Sequence, residues 1–267
     1  MSFALLKHAL ATRAHHVSPF LVLGDPNPET SVALAVAAVK AGATMLELGI
    51  PFSDPCADGP AIQKAILRAR ASGVSTDGAF EVMAAIRTKC PETPFNLLVY
   101  GNLVHARGYE RFARDAVAAG ASSLLVPDIP LEESTGLAGV CRAAKLGIVQ
   151  MVAPSTPPAR IAQLDAAADA FLYVTGHQGI TGADSKRGGA GTESPVARVR
   201  AHAKKPICLG FGLKSADGVR EAFASGASIA VVGSHLARVI EAAASRGREE
   251  IVSSFENALR PLLGAAE

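Results

Sequence analysis

The amino-acid sequence predicts a (β/α)8 TIM barrel, an α/β fold in which helices surround a closed ring of eight parallel strands. Short apolar runs alternate with Ala-rich amphipathic stretches along the whole chain, eight of each. This alternation is typical of a parallel sheet with crossover helices. The length of 267 residues suits one such barrel. No Gly-x-Gly-x-x-Gly motif opens the first unit, so an open dinucleotide-binding sheet is disfavoured.

Each predicted strand has four or five residues, as fully buried strands tend to have. The predicted strands are 20–23, 44–48, 96–99, 123–126, 148–151, 171–174, 207–210 and 229–232. The predicted helices are 29–40, 76–88, 109–118, 131–144, 158–168, 195–203, 216–224 and 234–245. Glycines that stop a helix just before the next strand are Gly42, Gly120 and Gly226.

Before the first strand, Phe3, Leu6 and Leu10 share one face of a short predicted N-terminal helix. This segment lacks the apolar h-region and cleavage site of a targeting peptide. We therefore expect it to cover one end of the barrel. The sequence shows no linker, so residues 1–267 are predicted to form a single domain. No run reaches the ~20 apolar residues of a membrane span.

The charge and the cysteine content indicate which kinds of binding partner and cell compartment to expect. The formal charge is +2, from 26 Lys and Arg against 24 Asp and Glu. Basic residues are not concentrated anywhere, so neither nucleic acid nor a membrane is indicated. The cysteines show none of the close spacings of disulfide or metal frameworks, which predicts reduced thiols in a cytoplasmic protein. They are Cys56, Cys90, Cys141 and Cys208.

Extra sequence follows the second and sixth predicted strands directly, at 51–75 and 175–193. Loops at that position emerge on the carboxyl-terminal face of a barrel, where active sites form. Glu47 precedes the first of these loops, inside a buried strand, and Asp58 lies within it. Burial should raise the pKa of Glu47 toward neutrality and suit it to general acid and base work. The alternatives are a Glu47 paired with a cation and an Asp58 that only forms a turn.

Glycine motifs end the seventh and eighth strands, at Gly210-Phe211-Gly212 and at Gly233-Ser234. Glycine lets the backbone approach a ligand, and the amides of a helix start bind anions. Barrels commonly hold a phosphate after these two strands. Neither motif contains Lys or Arg, so we expect a cradle made mostly of backbone. Ordinary β-to-α turns are the alternative interpretation.

The sequence lacks the residue patterns of two common mechanisms, Schiff-base catalysis and metal catalysis. No strand core carries a Lys suited to Schiff-base chemistry. The seven His are scattered without metal-ligand spacing. If this barrel cleaves carbon–carbon bonds, we expect acid–base chemistry without a metal or a covalent intermediate.

With these residues the chain resembles the tryptophan synthase alpha family, nearly from end to end. The matching segments are 20–26, 46–63, Tyr100, Asn102, Asp128-Ile129-Pro130, Tyr173, Thr181-Gly182, Gly210-Phe211-Gly212 and Gly233-Ser234. The match departs at Gly176-His177-Gln178, where members commonly carry Ser-Arg.

The resemblance implies a lyase of tryptophan biosynthesis that cleaves indole-3-glycerol phosphate to indole and glyceraldehyde 3-phosphate. Glu47 would be the acid and base, and Asp58 would accept a hydrogen bond from the indole N–H. Substrate-binding positions implied in the same way are Phe20, Ile62, Leu98, Tyr100, Tyr173 and Thr181. The implied phosphate ligands are Gly182, Gly210, Phe211, Gly212, Gly233 and Ser234.

The resemblance also implies a partner, a beta subunit that carries pyridoxal phosphate, in an alpha2-beta2 heterotetramer. This chain itself would hold no cofactor and no metal. Implied partner contacts are Pro51, Asp54, Pro55 and Asn102.

Three other functions stay open from the residues. A sugar-phosphate isomerase or epimerase would explain the glycine motifs but not Glu47 with Asp58. A weakly active subunit that mainly activates a beta partner would not need either carboxylate. A stand-alone indole-releasing lyase is compatible with all of these residues.

Overall fold

The computed structural model describes residues 2–176, 194–210 and 212–266. All of its strands run parallel in one sheet. They are β1 (His16–Val22), β2 (Leu46–Gly49), β3 (Phe95–Leu98), β4 (Ser123–Leu125), β5 (Gly147–Ile148), β6 (Gln150–Val152), β7 (Leu172–Thr175), β8 (Ile207–Gly210) and β9 (Ile229–Val232). The order is β5-β4-β3-β2-β1-β9-β8-β7-β6. Because only Val149 separates β5 from β6, these two edges are one strand and the sheet closes. The predicted (β/α)8 barrel is confirmed.

Helices surround the strands and follow the predicted alternation. They are α1 (Ser2–Thr12), α2 (Pro28–Lys40), α3 (Pro60–Ala71), α4 (Thr76–Lys89), α5 (Gly101–Arg107), α6 (Tyr109–Ala118), α7 (Thr135–Ala143), α8 (Pro158–Ala167), α9 (Pro195–Arg200), α10 (Ala216–Ala224), α11 (Ser234–Ala243) and α12 (Arg248–Leu263). A 3-10 turn, Gly264–Ala266, ends the described chain. The sequence did not predict α3, α5 and α12. Within the described ranges, no helix combines the length and the apolar character needed to cross a membrane.

Strand β1 begins at His16, earlier than predicted. The apolar pattern stops at Ser18 and Pro19, yet all seven residues of this strand are buried. Residues His16 to Pro19 pair with β9 in parallel register. The buried His16 ring reaches the Thr44 hydroxyl at 2.9 Å. Backbone pairing with β9 thus holds this half of the strand in place, although the buried Ser18 hydroxyl has no hydrogen-bond partner among the described residues.

The side chains inside the barrel form a core separate from the one between sheet and helices. Leu6 of α1 is fully buried in this inner core, with Phe3 and Leu10 packed against it. Phe3 also lies against Gly147 at the start of β5. Helix α1 therefore covers the end where the strands begin, as predicted, and leaves the carboxyl-terminal end open for a site.

Candidate active site

A cavity opens at the carboxyl-terminal ends of the strands, as expected for this fold. Its empty space is about 500 Å³, part of it open to solvent. The residues that line it are Phe20, Glu47, Asp58, Ile62, Leu98, Tyr173, Gly212, Leu213, Lys214, Val231, Gly233 and Ser234. The structure therefore brings together nine of the residues that the sequence and the resemblance singled out.

Glu47 lies in the middle of β2 and is 1% exposed. Burial raises the pKa of its carboxyl to about 8, although the nearby Asn96 amide and the Tyr173 hydroxyl oppose the rise. The Tyr173 hydroxyl donates to Glu47 Oε1 at 3.3 Å. No ion pair between described residues includes Glu47, so the alternative of a cation-paired Glu47 finds no support there. At neutral pH most of the Glu47 population carries a proton that it can donate.

Asp58 comes from the loop after β2 and is also buried, at 6% exposed. Burial raises the pKa of this carboxyl to about 6, and a hydrogen bond from Tyr100 opposes the rise. The Tyr100 hydroxyl donates to Asp58 Oδ2 at 2.6 Å. Gln63 Nε2, on the first turns of α3, donates to the Asp58 backbone oxygen at 2.7 Å. Asp58 is thus held in place and is mostly ionised at neutral pH.

Apolar side chains form a wall of the cavity that the two carboxyl groups share. Phe20 of β1, Leu98 of β3 and Val231 of β9 contribute from the strands. Ile62 contributes from α3, a helix that the sequence did not predict. The Phe20 ring packs so closely on Gly49 that a Cβ there would lie 2.7 Å from Phe20 Cζ. The wall can receive a flat aromatic group.

Tyr100 and Gly210 are predicted site residues that do not line this cavity. Tyr100 acts on the site through Asp58. Gly210 is buried at the end of β8, where an added Cβ would lie 2.1 Å from the Tyr173 hydroxyl oxygen. Glycine at this position therefore makes room for Tyr173.

The opposite side of the cavity is built from backbone. Gly212 has a φ of +88°, in the left-handed region that favours glycine. Gly233 is the N-cap of α11 and has no side chain that could cap the helix. The backbone N–H groups of the first turn therefore receive no hydrogen bond acceptor from the N-cap residue. Together with Ser234 these amides form a typical anion cradle.

Sequence reasoning missed the charge beside this cradle. Lys214 lines the cavity although it lies outside both glycine motifs. Its position two residues after Gly212 was the available signal. A cradle made mostly of backbone stays a prediction, with this lysine beside it.

Other predicted residues lie outside the described part of the chain or away from the cavity. Thr181, Gly182 and Phe211, together with the departure at His177-Gln178, are outside the described residues. Of the implied partner contacts, Asp54 and Asn102 are exposed, Pro55 is half-buried and Pro51 is buried. Among the described residues, no group of His, Cys, Asp or Glu could hold a metal ion.

The site can be compared with known proteins. The family model described as "Tryptophan synthase alpha chain" matches residues 6–263. The tryptophan synthase alpha chain of Nitrosococcus oceani is 40% identical over 251 residues, which are 93% of this chain and 92% of that one. The counterpart from Shewanella amazonensis is 40% identical over 224 residues, 84% of each chain.

Solved structures agree with the sequence matches. Tryptophan synthase subunit alpha from Legionella pneumophila superposes with a TM-score of 0.84 at 31% identity, covering 100% of this chain and 98% of that one. A Mycobacterium tuberculosis tryptophan synthase chain gives 0.85 at 28% identity, covering 98% and 96%. A chain of the tryptophan synthase a2b2 complex from Pyrococcus furiosus gives 0.84 at 27% identity, covering 94% and 99%. The family model, the relatives and the barrel with its two buried carboxyl groups agree, and the chain belongs to the tryptophan synthase alpha chain family.

Proposed function

We propose that this chain cleaves indole-3-glycerol phosphate to indole and glyceraldehyde 3-phosphate, with Glu47 and Asp58 as its catalytic residues. One observation carries the assignment: a buried Glu47, whose pKa burial raises to about 8, and an Asp58 held in place by Tyr100 share one cavity. An apolar wall and an anion cradle complete that cavity, and they correspond to the indole and phosphate ends of the substrate. We infer that residues 1–267 act as one catalytic domain.

Glu47 performs both proton transfers. Its carboxyl gives a proton to indole C3, which leaves positive charge on the ring system. The resulting carboxylate then takes the proton of the hydroxyl on the carbon attached to C3. As that carbon becomes an aldehyde, its bond to C3 breaks and the electron pair restores the indole ring. The proton count closes, because Glu47 ends the cycle protonated as it began.

Asp58 stabilises the charge that develops on the ring. Its carboxylate accepts a hydrogen bond from the indole N–H, which becomes more acidic when C3 is protonated. In a cavity of low polarity this interaction strengthens as the charge forms, so it favours the transition state over the bound substrate. Phe20, Ile62 and Leu98 hold the indole plane and exclude water.

The phosphate binds at the glycine side of the cavity. Amides at Gly212, Gly233 and Ser234 donate to its oxygens, and the Lys214 ammonium supplies a positive charge. Gly210 supports this end indirectly by giving Tyr173 room. Gly182 and Phe211 are proposed as further phosphate ligands at this end, and Thr181 is proposed as a substrate-binding residue.

The proposed partner is a tryptophan synthase beta subunit, in an alpha2-beta2 assembly, with pyridoxal phosphate in that partner and no cofactor in this chain. The loop after β2 carries the exposed Asp54 and the half-buried Pro55, and it is hydrogen-bonded through Ala57 to Tyr100, two residues before the exposed Asn102. This face is therefore the candidate contact. Pro51, in the same loop, is buried. A biosynthetic enzyme of this type is proposed to work in the cytoplasm.

The test is release of indole from indole-3-glycerol phosphate by the purified chain, alone and with a beta subunit plus serine. We expect slow release by the chain alone and a sharp rise with the partner. Fast release that ignores the partner would indicate a stand-alone lyase instead. No release in either case would rule out the proposed reaction.

The matched variant is Glu47→Gln, which keeps the shape of the side chain and removes its transferable proton. We expect turnover to fall by at least ~10²-fold while substrate still binds. Near wild-type turnover would show that Glu47 is not the acid and base.

A further inference from the structure

Asn96 is a buried polar residue that the reaction scheme above does not use. It lies on β3 in register with Glu47 on β2, and it is 1% exposed. Leu98, two residues along the same strand, lines the cavity, so Asn96 faces the barrel interior as well. An amide in such an apolar interior costs free energy unless its polar atoms are hydrogen-bonded.

The oxygen of this amide has a defined partner on the next strand. Ser123 of β4 lies in register with Asn96, and its hydroxyl donates to Asn96 Oδ1 at 2.8 Å. Glu47, Asn96 and Ser123 therefore form a row across three neighbouring strands. With the oxygen turned toward β4, the amide nitrogen is turned toward β2 and Glu47.

The nitrogen of the same amide lacks a hydrogen-bond acceptor among the described residues. Nδ2 is buried and makes no hydrogen bond of normal geometry to any described residue. It nevertheless lies close enough to Glu47 to favour the ionised carboxyl and to lower its pKa. Asn96 Nδ2 is a buried donor that faces the Glu47 carboxyl group and has no other partner among the described residues. Its natural acceptor is therefore the ionised carboxylate of Glu47.

We propose that Asn96 is a positioning residue whose amide nitrogen donates a hydrogen bond to the Glu47 carboxylate formed during turnover, with Ser123 holding the amide in the donating orientation. The inference rests on the proposed acid–base role of Glu47. The carboxylate exists only after proton transfer to the substrate, so this hydrogen bond is strongest at that stage and lowers the barrier.

The other groups that face Glu47 do not replace this donor. Asp58, from the loop after β2, disfavours a second negative charge. Cys208 of β8 stays a neutral thiol, because burial raises its pKa well above the usual range. Tyr173 of β7 donates over a long 3.3 Å. The amide of Asn96 carries no charge, so it keeps its donor at every pH.

The experiment titrates Glu47 directly and measures turnover in parallel. The carboxyl band of Glu47 is followed by difference infrared spectroscopy from pH 5 to pH 10, with Glu47→Gln identifying the band. Asn96→Leu removes the donor at similar volume, and Ser123→Ala removes only the group that orients it. Ser122→Ala is the matched control, since the Ser122 hydroxyl accepts from the Phe95 backbone N–H, whereas the Ser123 hydroxyl donates to Asn96.

We expect Asn96→Leu to raise the pKa of Glu47 by about one pH unit, the equivalent of one lost hydrogen bond. The kcat of indole release should fall about tenfold with KM nearly unchanged. Ser123→Ala should also raise the pKa of Glu47 and lower kcat, by smaller amounts than Asn96→Leu does. Ser122→Ala should change neither value.

Ser123→Ala keeps the test decisive if Asn96→Leu does not fold. A Glu47 titration identical in Ser123→Ala and Ser122→Ala, with equal kcat, would overturn the proposal. Absence of indole release by the wild type would overturn the proposed function instead, and the infrared titration would still decide whether Asn96 bonds to Glu47.

Discussion

The Tyr100 hydroxyl joins the end of β3 to the loop after β2 by donating to Asp58 and accepting from the backbone of that loop. It donates to Asp58 Oδ2 at 2.6 Å and accepts from the Ala57 N–H at 3.1 Å. Two hydrogen bonds of one buried side chain thus hold the position of the proposed catalytic carboxyl and favour its ionised form. Tyr100, an aromatic residue expected to contact indole, contacts instead the residue proposed to bind indole.

Removal of this hydroxyl should lower the fraction of Asp58 that is ionised at neutral pH. In Tyr100→Phe, the ionised form of Asp58 loses a hydrogen bond, so its pKa should rise above about 6. We expect kcat/KM for indole release at pH 7 to fall about tenfold and the acid side of the pH–rate profile to move to higher pH. Tyr109→Phe, on α6 and away from the cavity, is the control. An unmoved acid side in Tyr100→Phe would contradict this role.

The wild-type pH profile follows from the two carboxyl groups. Asp58 must be ionised to accept the indole N–H, so activity should fall as the pH drops through about 6. Glu47 must be protonated to act as the acid, so activity should fall as the pH rises through about 8. We expect kcat/KM to be bell-shaped with its maximum between these values. A plateau that extends to pH 10 would show that the protonated Glu47 is not required.

Lys214 is predicted to bind the substrate phosphate by charge. Lys214→Met keeps the aliphatic stem and removes the ammonium, so KM should rise about tenfold with little change in kcat. Inhibition by inorganic phosphate should weaken in parallel. Lys204→Met is the matched control, because Lys204 is exposed just before β8 whereas Lys214 follows that strand. Equal KM values in the two variants would exclude a phosphate contact for Lys214.

Gly210 is predicted to be intolerant of any side chain because Tyr173 occupies its space. In Gly210→Ala the new Cβ would meet the Tyr173 hydroxyl oxygen at 2.1 Å. Either the ring moves away from Glu47 or β8 shifts, and overpacking of this kind costs about 1–3 kcal/mol. We expect a lower melting temperature and at least tenfold slower indole release.

The control for that substitution is Gly139→Ala. Gly139 lies within α7, and a Cβ there would meet nothing within 4 Å. Helix propensity should make this variant slightly more stable, with unchanged activity. A Gly210→Ala variant as stable and active as Gly139→Ala would contradict the steric argument.

Local sequence patterns predicted most helices and strands correctly. They failed where contacts in the folded structure override the local preference. The alternation of apolar runs and helices located every strand, because each buried strand is a short apolar run bounded by turns. Helix α3 was missed because it lies within 51–75, a stretch that follows β2 directly and was interpreted as a loop, although Ile62 and Ile66 belong to a regular buried face. The first half of β1 was missed because Ser18 and Pro19 interrupt the apolar run.

The sequence by itself determined the barrel, the family and the placement of Glu47 and Asp58, since these depend on periodicity and on residues close together in the chain. Only the tertiary structure decided which groups act on them. Tyr100 reaches Asp58 across 42 residues, and Tyr173 reaches Glu47 across 126. Closure of the barrel creates these neighbours, because residues distant in sequence meet only when the strands pair in register. Hydrogen bonds and burial set the two pKa values, so the difference in protonation between Glu47 and Asp58 at neutral pH could be derived only from the folded chain.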